Sequence, residues 1–85
     1  MKMTEQISEL DAVMSSLSEI KDDVTVPRNV RTKTESIINA LKEDTELSIK
    51  INKTLNDLDE ISNDVNLQPY TRTQIWNAIS LLEKL

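Results

Sequence analysis

The sequence predicts an all-α protein, and the expected fold is an antiparallel four-helix bundle built from two duplicated helical hairpins. Apolar residues recur at steps of three and four along most of the 85-residue chain, which is typical of amphipathic helices. The same pattern is written twice, with a fixed offset. Aromatic residues make up only 2% of the chain and strand-like alternation is sparse, so no sheet is expected.

The duplication becomes visible when the chain is shifted against itself by 41 residues. Identical residues then meet at 11 of the 41 positions from 4 to 44, and Asp23-Val24 coincides with Asp64-Val65. A proline follows each of these pairs, one position out of register. We therefore expect a single helical domain, 1–85, composed of an internal duplication, 4–44 and 45–85.

The first and third predicted helices, 4–23 and 46–63, carry corresponding apolar stripes. Thr4 and Thr45 stand at their starts and are candidate N-caps. The spacing places each stripe on one face of its helix, where it would form part of the core. The stripes are Leu10, Met14, Leu17, Ile20 and Val24 in the first helix and Ile51, Leu55, Leu58, Ile61 and Val65 in the third.

The second and fourth predicted helices, 27–43 and 69–85, begin at the two prolines of the chain. Proline is tolerated in a first turn because the N–H it lacks would have no helical partner there. Thr25 is the candidate N-cap of the second helix. The apolar stripes are Val26, Val30, Ile37, Ile38 and Leu41 in the second helix and Ile75, Ala78, Ile79, Leu82 and Leu85 in the fourth.

Neither hairpin can bury its apolar stripes alone, and packing the two hairpins together buries both. A bundle is therefore the expected architecture. A short HEAT-like helical repeat is the alternative, because such repeats are about 40 residues long. The similar turn chemistry at all three connections favours the bundle.

Missing residue types exclude several kinds of chemistry. The chain has no Cys and no His, which removes thiol nucleophiles, disulfides, the usual general base and the commonest metal ligand. It has no Gly, on which phosphate-binding loops depend, and we expect no cofactor. The net charge of −5 opposes direct binding of nucleic acid. Short apolar runs and the lack of a signal-peptide pattern predict no membrane contact and a cytoplasmic location.

Two segments resemble a known family. The strings DDVTVPRNVR and LDEISNDVNLQPYTRTQIW are similar to those of uncharacterised protein family 0147, a small archaeal family. The resemblance covers essentially the whole chain and is most specific over residues 57–76. It implies an archaeal, intracellular, all-helical protein with no established activity, and it brings no catalytic residues.

Cationic residues in the first turns of the second and fourth helices are candidates for binding. Cations at these positions oppose the helix macrodipole, so some other contact should offset them. One interpretation is a bridge across each turn, from Arg31 to Asp22 or Asp23 and from Arg72 to Asp64. The other is an anion or partner-binding site for phosphate or an acidic residue. The residues of that candidate site are Arg28, Arg31, Lys33 and Arg72.

Tyr70 and Trp76 are the only aromatic residues of the chain. Interfaces favour exposed Trp and Tyr, so both are candidate partner anchors. A single Trp beside an apolar stripe is more often part of the core, and this interpretation places Trp76 in the core or at its edge. Ile49 and Leu81 lie off the stripes and, with Trp76, could form a patch for dimerisation.

The acidic residues Asp57, Glu60 and Asp64 lie on one side of the third helix and its end, and they form a candidate metal-binding set. Carboxylate oxygens in such a pattern suit Mg²⁺ or Ca²⁺. A solvated acidic face is the simpler interpretation of the same residues.

The sequence favours a small helical-bundle protein with a non-enzymatic role, a protein–protein interaction or structural module. Its expected partner is another protein or a second copy of itself, as a homodimer. One alternative is a Mg²⁺-dependent hydrolase or an anion- or metal-binding bundle that uses the acidic clusters. A further alternative is an accessory of a ribonucleoprotein assembly.

Overall fold

The structure, a computed structural model, describes the backbone of residues 2–85 and the side chains from residue 9 onward. It contains four helices and, in this range, no strand. Their bounds confirm the predicted helices to within two residues at each end. The helices are α1 (Lys2–Asp22), α2 (Arg28–Leu41), α3 (Leu47–Ser62) and α4 (Pro69–Glu83).

The four helices form a closed antiparallel bundle. Short turns over 23–27, 42–46 and 63–68 reverse the chain three times, as expected for neighbouring helices in a bundle. Each helix packs on the next one in the chain, and α4 packs back on α1. The contact between α4 and α1 closes the ring of helices. An open HEAT-like repeat of two hairpins would lack this contact. The predicted bundle is confirmed.

The core is mainly aliphatic, with buried threonines at Thr34, Thr54 and Thr71, and it runs the length of the bundle. Its largest fully buried apolar side chains include Leu17, Ile37, Leu58 and Leu82, one from each helix. Because aliphatic side chains interdigitate without polar atoms to satisfy, they suit a core of this size. The buried apolar residues are Val13, Leu17, Ile20, Val26, Val30, Ile37, Ile38, Leu41, Ile51, Leu58, Ile61, Leu67, Ile75, Ala78 and Leu82.

Two stripe predictions were wrong. Val24 is 82% exposed and Val65 is 89% exposed, because both lie in turns after their helices have ended. The apolar residues two positions later, Val26 and Leu67, are buried instead and close that end of the core. The turns 23–27 and 63–68 lie together at this end, which we call the turn end.

The threonine caps were also misplaced. The observed N-caps of α2, α3 and α4 are Pro27, Glu46 and Gln68, and none of the three makes a side-chain cap bond. Thr25 and Thr45 lie one or two residues earlier, in the turns. The side chain proposed as a cap at residue 4 lies outside the described side chains.

The structure places equivalent contacts 41 residues apart. The N-caps Pro27 and Gln68 have nearly the same backbone angles, φ −52° and ψ 141° against φ −70° and ψ 150°. We propose that the hairpins 4–44 and 45–85 arose by duplication, and this correspondence supports that origin.

No helix in the described residues combines the length and the apolar character needed to cross a bilayer.

Candidate functional site at the turn end and on helix α4

The two turns at the turn end are built in the same way around an aspartate. The Asp23 Oδ1 atom accepts a hydrogen bond from the Thr25 backbone N–H at 2.9 Å, and Asp64 Oδ1 accepts one from the Asn66 N–H at 2.8 Å. Such turns suit Asp because its short side chain mimics a backbone carbonyl. The chain thus makes tight turns without glycine, and no described residue has a positive φ angle.

The same hydrogen bonds favour the charged form of both aspartates. The Thr25 hydroxyl and then its backbone N–H lower the pKa of Asp23, and the charge of Arg31 lowers it further. The Asn29 side chain and then the Asn66 N–H lower the pKa of Asp64 in the same way.

The two arginines of the turns bind backbone carbonyl groups rather than carboxylates. Arg31 donates from Nε to the Val26 carbonyl at 3.0 Å. Arg72 donates from Nε to the Ser62 carbonyl at 3.0 Å and from Nη2 to the Asp64 carbonyl at 2.8 Å. In the described part of the chain no Arg–Asp ion pair crosses either turn, so the bridges expected from the sequence are replaced by these bonds.

The carbonyl groups explain why arginine is tolerated at these helix starts. The last carbonyls of a helix have no intrahelical partner, and Ser62 is the last residue of α3. The planar guanidinium of Arg72 reaches two carbonyls at once, which satisfies this end of α3 and ties α4 to it. A cation that lies unfavourably at the start of α4 is therefore placed favourably at the end of α3.

The four cations proposed as an anion site are distributed among separate contacts. Arg31 and Arg72 bind the turn carbonyls, and Lys33 pairs with Glu60 at 2.7 Å, which raises the pKa of Lys33. Arg28 is exposed. Three of the four groups are thus engaged within the chain, and the geometry gives the anion interpretation no shared site.

The acids proposed as metal ligands also have separate partners. Asp57 lies 4.0 Å from Lys53, and Glu60 is held by the Lys33 ammonium. Asp64 Oδ2 accepts a hydrogen bond at 2.9 Å from the Asn29 amide of α2. Among the described residues, no three acidic side chains come together to hold a metal ion.

A polar groove of about 380 Å³ lies between α2 and α3 at the turn end. The Lys33–Glu60 pair and the Asn29–Asp64 bond span it. The opposite seam, between α4 and α1, has a matching contact in which Gln74 donates to Glu19 at 3.3 Å. In the 41-residue alignment, Gln74 corresponds to Lys33 and Glu19 corresponds to Glu60.

Both aromatic residues lie on the surface of α4. Trp76 is 53% exposed and Tyr70 is 67% exposed, so the core interpretation of Trp76 was wrong. Trp76 follows the buried Ile75 by one residue, which turns it about 100° away from the core. Leu81, in contrast, is partly buried and packs against the core, whereas Ile49 is exposed on α3.

Every exposed residue of α4 between Tyr70 and Ser80 is neutral, and the one charged residue of this stretch, Arg72, is half-buried. Tyr70, Thr73 and Trp76 follow one another at steps of three residues and form an oblique ridge along the helix. We call the exposed uncharged residues from Tyr70 to Ser80 the outer face of α4. Its members are Tyr70, Thr73, Trp76, Asn77 and Ser80.

The corresponding surface of α2 gives a reference within the same molecule. Subtracting 41 from each number yields five residues that are also exposed, and we call them the outer face of α2. Asn29 stands where α4 has Tyr70, and Glu35 stands where α4 has Trp76. The full set is Asn29, Thr32, Glu35, Ser36 and Asn39.

Sequence reasoning named Tyr70 and Trp76 but missed the neutral residues between and beside them. Thr73, Asn77 and Ser80 are common residue types and carry no signal by themselves. The 41-residue alignment does contain a signal for this face, however. It places Tyr70 opposite the polar Asn29 and Trp76 opposite the charged Glu35.

The fold and its surface define a small, closed, all-α bundle with arginine-tied turns and one uncharged aromatic helix face. The chain belongs to an uncharacterised protein family, UPF0147, whose model matches residues 1–85. This finding confirms the resemblance seen in the sequence.

Relatives and solved structures agree with this membership. The UPF0147 protein MJ1419 of Methanocaldococcus jannaschii is 46% identical over 77 residues, covering 89% of this chain and 83% of that protein. A crystal structure of a UPF0147 protein from Thermoplasma acidophilum, 32% identical, has a TM-score of 0.92 and covers 96% of this chain and 98% of its own. A crystal structure of protein MMP1188, of unknown function, is 42% identical, has a TM-score of 0.83 and covers 91% and 89%. The curated relatives carry no assigned activity.

Proposed function

We propose that this protein is a non-enzymatic protein–protein interaction module that binds its partner through the outer face of α4. The observation that carries the proposal is the contrast between two equivalent helix faces. The outer face of α2 has the polar composition of an ordinary solvated surface. The outer face of α4 replaces Asn by Tyr70 and Glu by Trp76 at matching positions.

This composition is the one that distinguishes interface cores from other surfaces. Interface cores are depleted in charged residues and enriched in aromatic ones. Trp and Tyr also supply most of the binding energy in many interfaces. None of the five exposed residues of α4 from Tyr70 to Ser80 is charged, although 29% of the chain is.

The rest of the molecule holds this face rigidly. Thr71, Ile75, Ala78 and Leu82 fix one side of α4 in the core. Arg72 ties the first turn of α4 to the end of α3. A surface fixed in this way loses little conformational entropy on binding. We place the interaction in the cytoplasm, in keeping with the sequence.

A matched pair of substitutions tests the proposal. Thr73→Glu introduces a carboxylate at the centre of the outer face of α4, and Thr32→Glu introduces the same group at the equivalent exposed position of α2. Tagged wild type and both variants are used for affinity capture from an archaeal lysate that also contains an untagged copy of the chain.

We expect wild type and Thr32→Glu to retain a stoichiometric protein, and Thr73→Glu to lose it while keeping its helical circular dichroism. Burial of an unpaired carboxylate in an interface is costly, which is the physical reason for the loss. Equal capture by both variants, or a bound protein lost only with Thr32→Glu, would contradict the proposal.

A further inference from the structure

We propose that the partner of the outer face of α4 is a second copy of this chain, bound about a two-fold axis at Thr73 so that the Tyr70–Thr73–Trp76 ridges of the two copies run antiparallel. This inference rests on the proposed function and adds the identity of the partner. It follows from the charge of the chain and from the order of residues along the face.

The charge of the molecule limits which faces can meet their own copy. In a two-fold interface, the same patch of both subunits is brought together, so each charged residue near the axis approaches its own equivalent. The chain carries a net charge of −5. Exposed acids lie on α1 at Asp11 and Glu19, on α2 at Glu35 and on α3 at Asp59 and Glu60.

The outer face of α4 avoids this repulsion. Between Tyr70 and Ser80, all of which the structure describes, every exposed residue is neutral, and the half-buried Arg72 binds carbonyl groups of its own chain. Two copies can therefore approach through this face without placing like charges opposite each other. The remaining repulsion comes from more distant acids, and salt screens it because the Debye length is about 8 Å at physiological ionic strength.

The residue order makes the face complementary to itself. Tyr70 and Trp76 lie three residues before and three residues after Thr73, about 4.5 Å along the helix in each direction. A copy related by a two-fold axis at Thr73, with the two α4 helices crossing steeply so that their oblique ridges run antiparallel, therefore places Tyr70 of each chain opposite Trp76 of the other. Two aromatic pairs form, and such pairs are favourable when the rings meet edge to face or offset.

The size of the face predicts a weak dimer. From Pro69 to Ser80 the helix is roughly 18 Å long and about 10 Å wide, so the contact is smaller than the ~800 Å² per partner of a stable complex. The association should be transient and concentration-dependent, and it should become stronger as salt is added.

Sedimentation equilibrium over a concentration series, at low and at raised salt, measures this association. We expect a reversible monomer–dimer equilibrium that shifts toward dimer with salt. Trp76→Glu installs the residue that α2 carries at the equivalent exposed position, and it should weaken the dimer about 30-fold or more. The control Glu35→Ala on α2 should leave the association unchanged.

A disulfide test locates the axis. The chain has no cysteine, so a single introduced one reports only on its own position. Thr73→Cys should form a cross-linked dimer under mild oxidation, because residues on a two-fold axis between packed helices come within the ~4–7 Å between Cα atoms that a disulfide spans. Thr32→Cys, equally exposed on α2, should stay monomeric.

Each result decides between the two proposals. A monomeric wild type, or equal cross-linking of Thr32→Cys and Thr73→Cys, overturns self-association. If Thr73→Glu still abolishes capture of another protein in that case, the proposed function stands with a different partner. If no capture depends on Thr73, both proposals fail.

Discussion

Removing the guanidinium of Arg72 should be the most damaging single change at the turn end. Arg72 makes two hydrogen bonds to backbone carbonyls, at 3.0 Å to Ser62 and 2.8 Å to Asp64. Hydrogen bonds to a charged group contribute about 1.5–3 kcal/mol each when buried. Because Arg72 is half-buried, we take about 1–1.5 kcal/mol for each bond, and Arg72→Ala should cost about 2–3 kcal/mol.

The equivalent arginine of the first hairpin gives a graded comparison. Arg31 makes one such bond, to Val26 at 3.0 Å, so Arg31→Ala should cost about 1–1.5 kcal/mol. Arg28 is exposed and makes no hydrogen bond or ion pair within the described part of the chain, so Arg28→Ala should change stability by less than about 0.5 kcal/mol. Arg72→Lys keeps the charge but loses the planar fork, and it should recover less than half of the loss.

Urea unfolding followed by far-ultraviolet circular dichroism measures all four variants against wild type. For a chain of this length, about 1 kcal/mol shifts the melting temperature by roughly 4–8 °C, so Arg72→Ala should melt some 10–20 °C lower. A loss for Arg72→Ala no greater than that for Arg28→Ala would refute the role given to the carbonyl contacts. Full recovery with Arg72→Lys would show that charge alone, without the fork, is sufficient.

Three further predictions concern the core, the duplication and pH. Leu58→Ala should cost about 2–5 kcal/mol because Leu58 is fully buried, while Val65→Ala should cost under about 0.5 kcal/mol in the same urea assay; equal losses would contradict the burial pattern. Thr54→Val should change the unfolding free energy by less than about 1 kcal/mol, because the equivalent buried position holds Val13, and a larger loss would show that the Thr54 hydroxyl is needed. The pKa of Asp64 is lower in the folded state than in the unfolded state. The Asp64 carboxylate therefore stabilises the fold at pH values above the unfolded-state pKa, and this stabilisation is lost as pH falls through the folded-state pKa. Stability should therefore decline below about pH 4, and Asp64→Asn should reduce that decline; an identical acid profile for the variant would exclude this role.

Much of the fold follows from hydrophobic spacing alone. Steps of three and four identify the helices, and the buried Leu17, Leu58 and Leu82 lie on the stripes that this spacing defines. The spacing does not show where a helix ends, however. Val24 and Val65 continue the period of their helices, but both belong to turns, so they point away from the core.

The arginine contacts could not be predicted from residue types. Every residue carries a backbone carbonyl, so nothing in the sequence marks those of Ser62 and Asp64 as the acceptors for Arg72. Residue types point to carboxylates as partners of arginine, and the bridge interpretation used them. Arg72 binds the Ser62 carbonyl, which the end of α3 leaves without an intrahelical partner, and also the Asp64 carbonyl in the turn.

The exposed position of Trp76 was predictable in part. Helix geometry turns it about 100° away from Ile75, and its equivalent in the first hairpin is a charged residue, Glu35. The prediction of a core position rested only on the frequency with which a single tryptophan belongs to a core. At this position the residue 41 places earlier is thus a better guide to exposure than residue type.

Mapping the contact surface by nuclear magnetic resonance tests the central claim most directly. Amide chemical shifts of the ¹⁵N-labelled chain are followed as its partner is added, whether that partner is unlabelled copies of the chain or another captured protein. The largest changes should lie on α4 from Tyr70 to Ser80, and the equivalent residues of α2, from Asn29 to Asn39, should change little. Changes that cluster on α2, or on the groove between α2 and α3, would contradict the assignment of the outer face of α4 as the binding surface.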